Sequence, residues 1–245
     1  EATALGGTLK VHIKVDTGMS RLGFLCGGDH FETGVAGICA ACTLPGLEAE
    51  GIFTHFAVSD EADAESDAYT RGQFDLFCRM IDAVARRGGV TFAIRHCANT
   101  GAVVHYPEMA LDMVRPGLLL YGYGDDTGRF GLRPCMRLVT TISTIKTYEP
   151  DTCVSYGRRF RTQRRTRMAV LGIGYADGLF RTLSGKCSFA VAGHKAPQCG
   201  SICMDMCMID VTDIPDEKVG DVVTIFGEEG LLQEKADTVG TISYE

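Results

Sequence analysis

The chain has 245 residues, of which 45% are hydrophobic and 22% are charged, and its formal net charge is -7. These values allow a sizeable core and two domains, as in an ordinary soluble enzyme. The acidic balance argues against nucleic acid as a partner, and no apolar run approaches the ~18 residues of a membrane span.

The first predicted element is a strand. Residues 11–15 alternate apolar and polar side chains, which is the period of a strand with one polar face, and the polar positions are His12 and Lys14. A surface strand explains a lone lysine equally well. Arg21 follows just beyond the strand, however, and a lysine paired with an arginine suggests a site for anions.

Three further strands are predicted, and each ends in polar side chains. The strands cover residues 50–56, 91–96 and 112–115. The polar residues at their ends are His55, then His96 with Asn99 and Thr100, and finally Arg115. Helices are predicted over 31–44, 66–89 and 99–106. The order β-α-β-α-β-α-β implies parallel pairing of the strands.

Functional residues at the carboxyl ends of parallel strands are typical of the (β/α)8 barrel and its relatives. Residues 1 to about 125 hold four such units, whereas a closed barrel usually needs about 250 residues. Either the sheet is smaller and open, or part of a barrel lies outside the chain. Because position 1 is Glu and the chain stops at Glu245 without a polar tail, we expect the C-terminal part of a TIM-like barrel.

From about residue 133 the pattern changes to strands with no good helix between them. The predicted strands cover 137–148, 168–172, 187–191, 207–211 and 222–226. The predicted fold is therefore α/β + β, with a partial barrel over 1–132 and a mostly β domain over 133–245. Six arginines within 158–167 could bind phosphates or form a solvated hairpin, and we favour the hairpin.

Eleven cysteines invite a metal or disulfide interpretation, which their positions do not support. Cys39 and Cys42 lie in a predicted helix, and Cys203 and Cys207 lie along a strand-like run where spacing by four puts both on one face. No histidine pair completes a tetrahedral set. We predict no metal site and expect reduced thiols in a cytoplasmic protein.

Eight motifs in order resemble the alanine racemases, which are fold-type III pyridoxal-phosphate (PLP) enzymes, along the whole chain. They are KVDTGMSRLG (14–23), THF (54–56), HCANT (96–100), VRPG with YG (114–117, 121–122), SYG (155–157), GIGYADG (172–178), GSICMD (200–205) and YE (244–245). The resemblance implies PLP as cofactor, alanine as substrate and a homodimer with shared active sites.

Racemisation needs two bases, one for each face of the α-carbon. By resemblance Tyr156 is one of them, and the other is a lysine that also forms the Schiff base with the cofactor, in a Lys-Ala-x-Ala-Tyr-Gly motif. None of the seven lysines lies in such a motif. We therefore expect an internal fragment that keeps much of the pocket, lacks the covalent anchor and is inactive alone.

The resemblance assigns cofactor roles to the polar strand ends. Arg115 matches the arginine that faces the pyridine nitrogen, where a guanidinium donates without giving up its proton. With His55 it would favour the phenolate of Tyr156. The other residues expected at the cofactor are His96, Asn99, Thr100, Gly117, Leu118 and Tyr244, of which the last four would bind the phosphate.

On the substrate side, Arg21 resembles the residue that holds the carboxylate, a task suited to a planar fork. Met204 would share that task through its amide, with Asp205 beside it, while Tyr175 narrows the entrance. Lys14 matches a lysine that is often carbamylated in the family. Such an anion would orient Arg21, whereas an unmodified Lys14 would repel it.

Three positions depart from the family pattern: Ser20 stands where glycine is common, Ser201 where arginine is common and Met206 where glutamine is common. Alternatives to an alanine racemase are a serine racemase module of a vancomycin-resistance system and a non-catalytic PLP-binding protein. A barrel-only PLP homeostasis protein would lack residues 133–245. Preference for alanine over serine is not deduced from the residues, because the two substrates differ only by a hydroxyl group.

Overall fold

A computed structural model describes residues 2–124, 128–227 and 231–245. It divides into two compact units, the first ending at Leu120 and the second beginning at Tyr121.

The first unit is a four-stranded parallel sheet with helices between its main strands. Its strands are β1 (Leu9–Asp16), β2 (Phe24–Leu25), β3 (Leu47–Phe53) and β4 (Ile94–His96), in the order β2-β1-β3-β4. Its helices are α1 (Phe31–Cys42), α2 (Ala64–Gly88) and α3 (Thr100–His105). The predicted alternation of strands and helices is therefore present, with β2 as an additional short strand at one edge.

The core of the first unit follows from the two sequence periods. Ile13 and Val15 alternate with polar residues on β1 and are buried. Ile38 of α1 and Phe77 and Met80 of α2 are fully buried in the same cluster. Covering the sheet in this way fixes the strands, so their carboxyl ends present side chains from a rigid base.

The strand predicted over residues 112–115 is wrong. The segment runs beside β4 and makes two backbone hydrogen bonds, from Asp112 N to Arg95 O of β4 at 3.1 Å and from Arg115 N to Ala98 O beyond the end of β4 at 2.9 Å. Pro116 has no N–H with which to continue a ladder. The backbone contact is nevertheless sufficient to bring Arg115 to the end of β4.

The second unit is built around a closed β barrel of six strands, in the order β10-β11-β8-β5-β12-β9. These strands are β5 (Leu138–Tyr148), β8 (Thr166–Leu171), β9 (Ser188–Val191), β10 (His194–Cys199), β11 (Cys207–Asp210) and β12 (Val222–Phe226). Its core includes Ile142, Leu171, Phe189, Ile209 and Ile225, all buried.

One expectation for this unit was wrong, since Cys203 lies in a loop before β11 rather than on a common strand with Cys207. Two elements were not predicted. β10 carries Lys195 and Pro197 and so lacks an apolar alternation, yet it closes the barrel between β9 and β11. A helix, α4 (Leu232–Val239), follows the last predicted strand.

The arginine-rich run contains a hairpin strand, as favoured above. β6 (Cys153–Val154) pairs antiparallel with β7 (Phe160–Arg161). Arginines of the run form ion pairs with acidic residues, among them Arg164 with Asp213 and Arg167 with the buried Glu217. Within the described part of the chain, no helix is long and apolar enough to cross a membrane.

We expect the N-cap of α2 to contribute measurably to stability. The Asp63 carboxylate accepts hydrogen bonds from the amides of Glu65 at 2.9 Å and Ser66 at 3.0 Å. Replacing Asp63 by Ala should lower the free energy of unfolding measured by urea denaturation, and Asp63→Ser should restore most of the loss. Glu61→Ala is the matched control at a nearby exposed position; equal losses for both alanine variants would contradict a capping role.

Candidate active site

The guanidinium of Arg115 brings the carboxyl ends of β3 and β4 together. Its Nη2 donates to the carbonyl of Thr54 at 2.8 Å and lies 3.4 Å from that of Cys97. The same nitrogen lies 3.2 Å from Nδ1 of His55, and Nη1 donates to Nδ1 of His96. Arg115 is thus fixed by acceptors that follow two different strands.

Both histidines must be neutral to serve as these acceptors. A guanidinium has only donors, so Nδ1 of His55 and Nδ1 of His96 carry lone pairs. Burial, with the nearby Arg115 charge, lowers the pKa of His96 to about 4. Burial also lowers the pKa of His55, and the charges of Arg115, Arg21 and Lys14 lower it further.

Phe53, the last residue of β3, forms an aromatic platform beneath the cations. Its ring stacks on His96 at 4.9 Å with an interplanar angle of 5°. The Arg115 guanidinium lies 5.3 Å from the ring centre and the Lys14 ammonium 5.8 Å from it. Each contact favours a cation at the face of the ring, where the quadrupole is negative.

Lys14 meets one of the conditions for carbamylation, which requires a neutral amine. Burial lowers its pKa, and the charges of Arg21 and Arg115 add to that effect, while Asp16 opposes it. The same charges would attract an anion formed at this position.

The loop that carries Arg21 is organised by the buried carboxylate of Asp16. One oxygen accepts from the amides of Gly18 and Ser20, each at 3.0 Å. Ser20 has a φ of 54°, in the left-handed region. Glycine adopts that region without strain, whereas a residue with a Cβ such as Ser20 does so at a cost.

Thr100 and Gly117, both predicted to bind phosphate, lie together. The hydroxyl of Thr100 accepts from the amide of Gly117 at 2.7 Å. Asn99 caps α3 by accepting from Ala102 N at 3.1 Å, and its side-chain oxygen also accepts from the hydroxyl of Ser59 at 2.6 Å. The Asn99 side chain therefore supports the loop, while the Thr100 hydroxyl satisfies the Gly117 amide. Leu118 follows directly at the start of a 3-10 turn.

In the second unit, Tyr156 stands on a short 3-10 turn and is 72% exposed. Ser155, which precedes it, has a φ of 63° and donates from its hydroxyl to Ser201 O at 2.7 Å. The hydroxyl of Ser201 donates back to Tyr156 O at 2.9 Å. These two bonds hold the Tyr156 backbone and leave its phenol in solvent.

Tyr175 and Met204 lie on adjoining loops. The Tyr175 amide donates to Cys203 O at 2.9 Å, and the Ala176 amide donates to Met204 O at 2.8 Å. A Cβ on Gly174 would come within 2.4 Å of Cys203 O, so the contact requires glycine. Ser155 Oγ lies 3.7 Å from Cys203 Sγ, which links this loop pair to the Tyr156 turn.

The remaining predicted residues of the second unit are exposed: Asp205 beside Met204, and Tyr244 near the end of the described chain. Four residues that support these side chains were not among the predicted ones: His12, Glu50 and Phe53 in the first unit and Ser201 in the second. The sequence contained a signal for two of them: His12 lies on the polar face of β1, and Ser201 is one of the positions that differ from the family pattern. Among the described residues, no group of three His, Cys, Asp or Glu side chains could hold a metal ion.

The fold and site together describe a chain of two units in which cationic side chains gather at the carboxyl edge of a parallel sheet. Two family models match it: "Alanine racemase, N-terminal domain" over residues 1–125 and "Alanine racemase, C-terminal domain" over residues 135–245. The chain belongs to the alanine racemase family.

Individual relatives agree with this assignment. The alanine racemase of Desulforamulus reducens is 44% identical over 100% of this chain and 65% of its own length. The structure of alanine racemase from Clostridium difficile 630 has a TM-score of 0.87 and 37% identity, over 99% of this chain and 62% of its own. That from Streptomyces coelicolor A3(2) has a TM-score of 0.89 and 31% identity, over 99% and 64%. The chain thus spans slightly less than two thirds of these relatives.

We expect His96 to make the protein less stable in acid. Its pKa is about 4 in the folded state against an ordinary 6.5, so the unfolded chain binds more protons between these values. The contribution of neutral His96 to the free energy of unfolding is therefore complete above pH 6.5, and it is lost as the pH falls toward 4. The free energy of unfolding should fall less steeply over this window in His96→Asn, which keeps an acceptor for Arg115 and has no titrating ring. Parallel curves for the two proteins would contradict this assignment.

Proposed function

We propose that the whole protein is a PLP-dependent alanine racemase that interconverts L-alanine and D-alanine in the cytoplasm, for use in peptidoglycan. The observation that carries the proposal is the charged Arg115, held by neutral histidines and backbone carbonyls at the strand ends of a chain of this family. We further infer that the residues 1–132 belong to a (β/α)8 barrel, and the residues 133–245 to the C-terminal domain.

The donor set of the first unit fits PLP. The Thr100 hydroxyl accepts from the Gly117 amide and keeps its own proton to donate, so it is a group of the kind that binds phosphate, with Gly117 and Leu118 beside it. Arg115 is a permanent donor for a ring nitrogen. When bound, PLP withdraws electrons from the α-carbon and so acidifies its proton. His96 and His55, as neutral acceptors, keep Arg115 oriented while they add no positive charge.

The other residues are assigned to the substrate and the proton. Tyr156 moves the α-proton on one face, and Arg21 binds the carboxylate as a planar fork. On the second unit, Met204 and Asp205 contribute to substrate binding and Tyr175 narrows the entrance. Lys14, once carbamylated, becomes an anion that orients Arg21.

A homodimer with shared active sites is part of the proposal, supported by the family resemblance. The exposed phenol of Tyr156 is consistent with a residue that acts on a ligand outside its own loop. Sedimentation of the whole protein with and without PLP tests the assembly directly.

Tyr156→Phe in the whole protein should abolish proton exchange from one face only. The ring is retained and the hydroxyl is lost, so one alanine isomer should still exchange its α-proton with D2O while the other does not. Exchange of each isomer, followed by proton NMR, gives the measurement.

Tyr123→Phe is the matched control, since it removes another tyrosine hydroxyl of the second unit, one that donates to Met136 O at 2.8 Å. Unchanged exchange of both isomers in Tyr156→Phe would remove Tyr156 from the proposed mechanism. If the unmodified protein exchanges serine with a higher kcat/KM than alanine, the proposed substrate is wrong and a serine racemase is favoured.

Thr100→Val should weaken binding of PLP by the 245-residue chain and leave binding of pyridoxal, which has no phosphate, unchanged. The substitution keeps the shape and removes a hydroxyl, so we expect a loss of roughly tenfold in affinity for PLP. Fluorescence titration measures both ligands. Thr43→Val, at an exposed position after α1, is the control; equal effects on PLP and pyridoxal in Thr100→Val would exclude a phosphate contact.

A further inference from the structure

The hydrogen bonds of Arg115 continue beyond His96 into a line of polar side chains across the sheet. Nε2 of His96 lies 2.7 Å from Nδ1 of His12 on β1. Nε2 of His12 in turn lies 3.6 Å from Oε2 of Glu50 on β3. The other oxygen of Glu50 accepts from Lys10 at 2.6 Å.

The chemistry of its two ends gives this line a single direction. Arg115 has only donors, and the ionised Glu50 has only acceptors. In the arrangement that satisfies both ends, Nδ1 of His96 accepts from Arg115, and its proton sits on Nε2 and is donated to His12. His12 accepts at Nδ1 and points its own Nε2 proton toward Glu50. Each ring is restricted to one tautomer, with the proton on Nε2.

The backbone is shaped to allow this arrangement. Val11 pairs with Ala49 and His12 pairs with Gly51, so Glu50 is an extra residue in a β-bulge. A bulge re-aims the side chain that it carries. A Cβ on Gly51 would lie 2.6 Å from Nδ1 of His12, so the space occupied by the imidazole exists because residue 51 is glycine.

The tautomer of His12 is set by its contacts with His96 and Glu50. His12 faces His96 from β4 and Glu50 from β3, and Lys10 on its own strand is already paired with Glu50. The His12 and His96 rings are 5.0 Å apart and tilted by 54°, as a direct nitrogen-to-nitrogen hydrogen bond requires, rather than stacked.

We propose that His12 and Glu50 are positioning residues, which fix the ring proton of His96 on Nε2 and so keep Nδ1 available to orient Arg115. The role of Arg115 toward a cofactor rests on the proposed function. The proton position on His96 is a property of this chain alone and can be measured without a cofactor.

The decisive measurement is the tautomer of His96 in histidine-15N-labelled chain, read from long-range 1H–15N spectra, with His96→Asn used to assign the signal. The unmodified chain should show Nε2 protonated and Nδ1 unprotonated. In His12→Phe, which keeps a ring and removes the acceptor, a second tautomer should appear. His12→Asn places an oxygen near the former Nδ1 and should restore the single tautomer.

Glu50 has its own pair of variants, which also serve if His12→Phe does not fold. Glu50→Gln retains an acceptor and should keep one His96 tautomer, whereas Glu50→Leu should produce a mixture. His194→Phe, at an exposed position on β10, controls for the loss of a histidine. An unchanged His96 tautomer in both His12→Phe and Glu50→Leu would overturn the proposal.

Cofactor affinity separates this proposal from the proposed function. PLP should bind His12→Phe roughly tenfold more weakly and His12→Asn nearly as well as the unmodified chain. One outcome is that the tautomer of His96 changes as expected while PLP binds neither the unmodified chain nor any variant. That result would support the positioning role of His12 and Glu50 and would contradict the proposed function. If PLP binds His12→Phe with undiminished affinity, His12 and Glu50 do not position Arg115 for the cofactor.

Discussion

The arrangement of the first unit depends on one guanidinium, that of Arg115, being surrounded by acceptors that carry no charge. Its partners are the carbonyl of Thr54, the weaker carbonyl contact of Cys97 and the Nδ1 atoms of His55 and His96. A carboxylate at this place would pair with the arginine and neutralise it. Neutral acceptors fix its orientation and leave its positive charge available to a ligand.

The acceptors around Arg115 are held in place by hydrogen bonds among the buried side chains behind them. The hydroxyl of Thr54 donates to Val15 O at 3.0 Å and lies 2.7 Å from that of Thr17, which in turn accepts from Gln73 of α2 at 3.2 Å. Buried polar groups that are fully bonded in this way specify one arrangement. One hydrogen-bond network therefore links α2 to the ends of β1 and β3.

Much of this organisation could be predicted from periodicity. Alternation over residues 11–15 located β1 and its polar face, and the polar residues after β3 and β4 identified His55, His96 and Thr100. Arg115 was correctly placed near them although its segment is not a strand, because two backbone hydrogen bonds suffice to align it with β4.

The parts that escaped prediction depend on contacts distant in sequence. His12 contacts Glu50 because a β-bulge turns the Glu50 side chain toward it. The alternation of apolar and polar residues along a strand does not predict where a bulge occurs. β10 closes the second unit although Pro197 removes a donor, because its neighbours β9 and β11 supply the pairing. Ser201 holds the Tyr156 backbone through a contact 45 residues away.

The charges at the strand ends argue that this site is built for an anion. Among the described residues, no ion pair includes Lys14, Arg21 or Arg115. Burial lowers the pKa of Lys14 and of His55, and the mutual repulsion of these charges lowers both further. Such repulsion destabilises the folded protein unless something compensates it. A bound phosphate or carboxylate, or an anionic modification of Lys14, would each relieve it, and all three belong to the chemistry proposed for this family member.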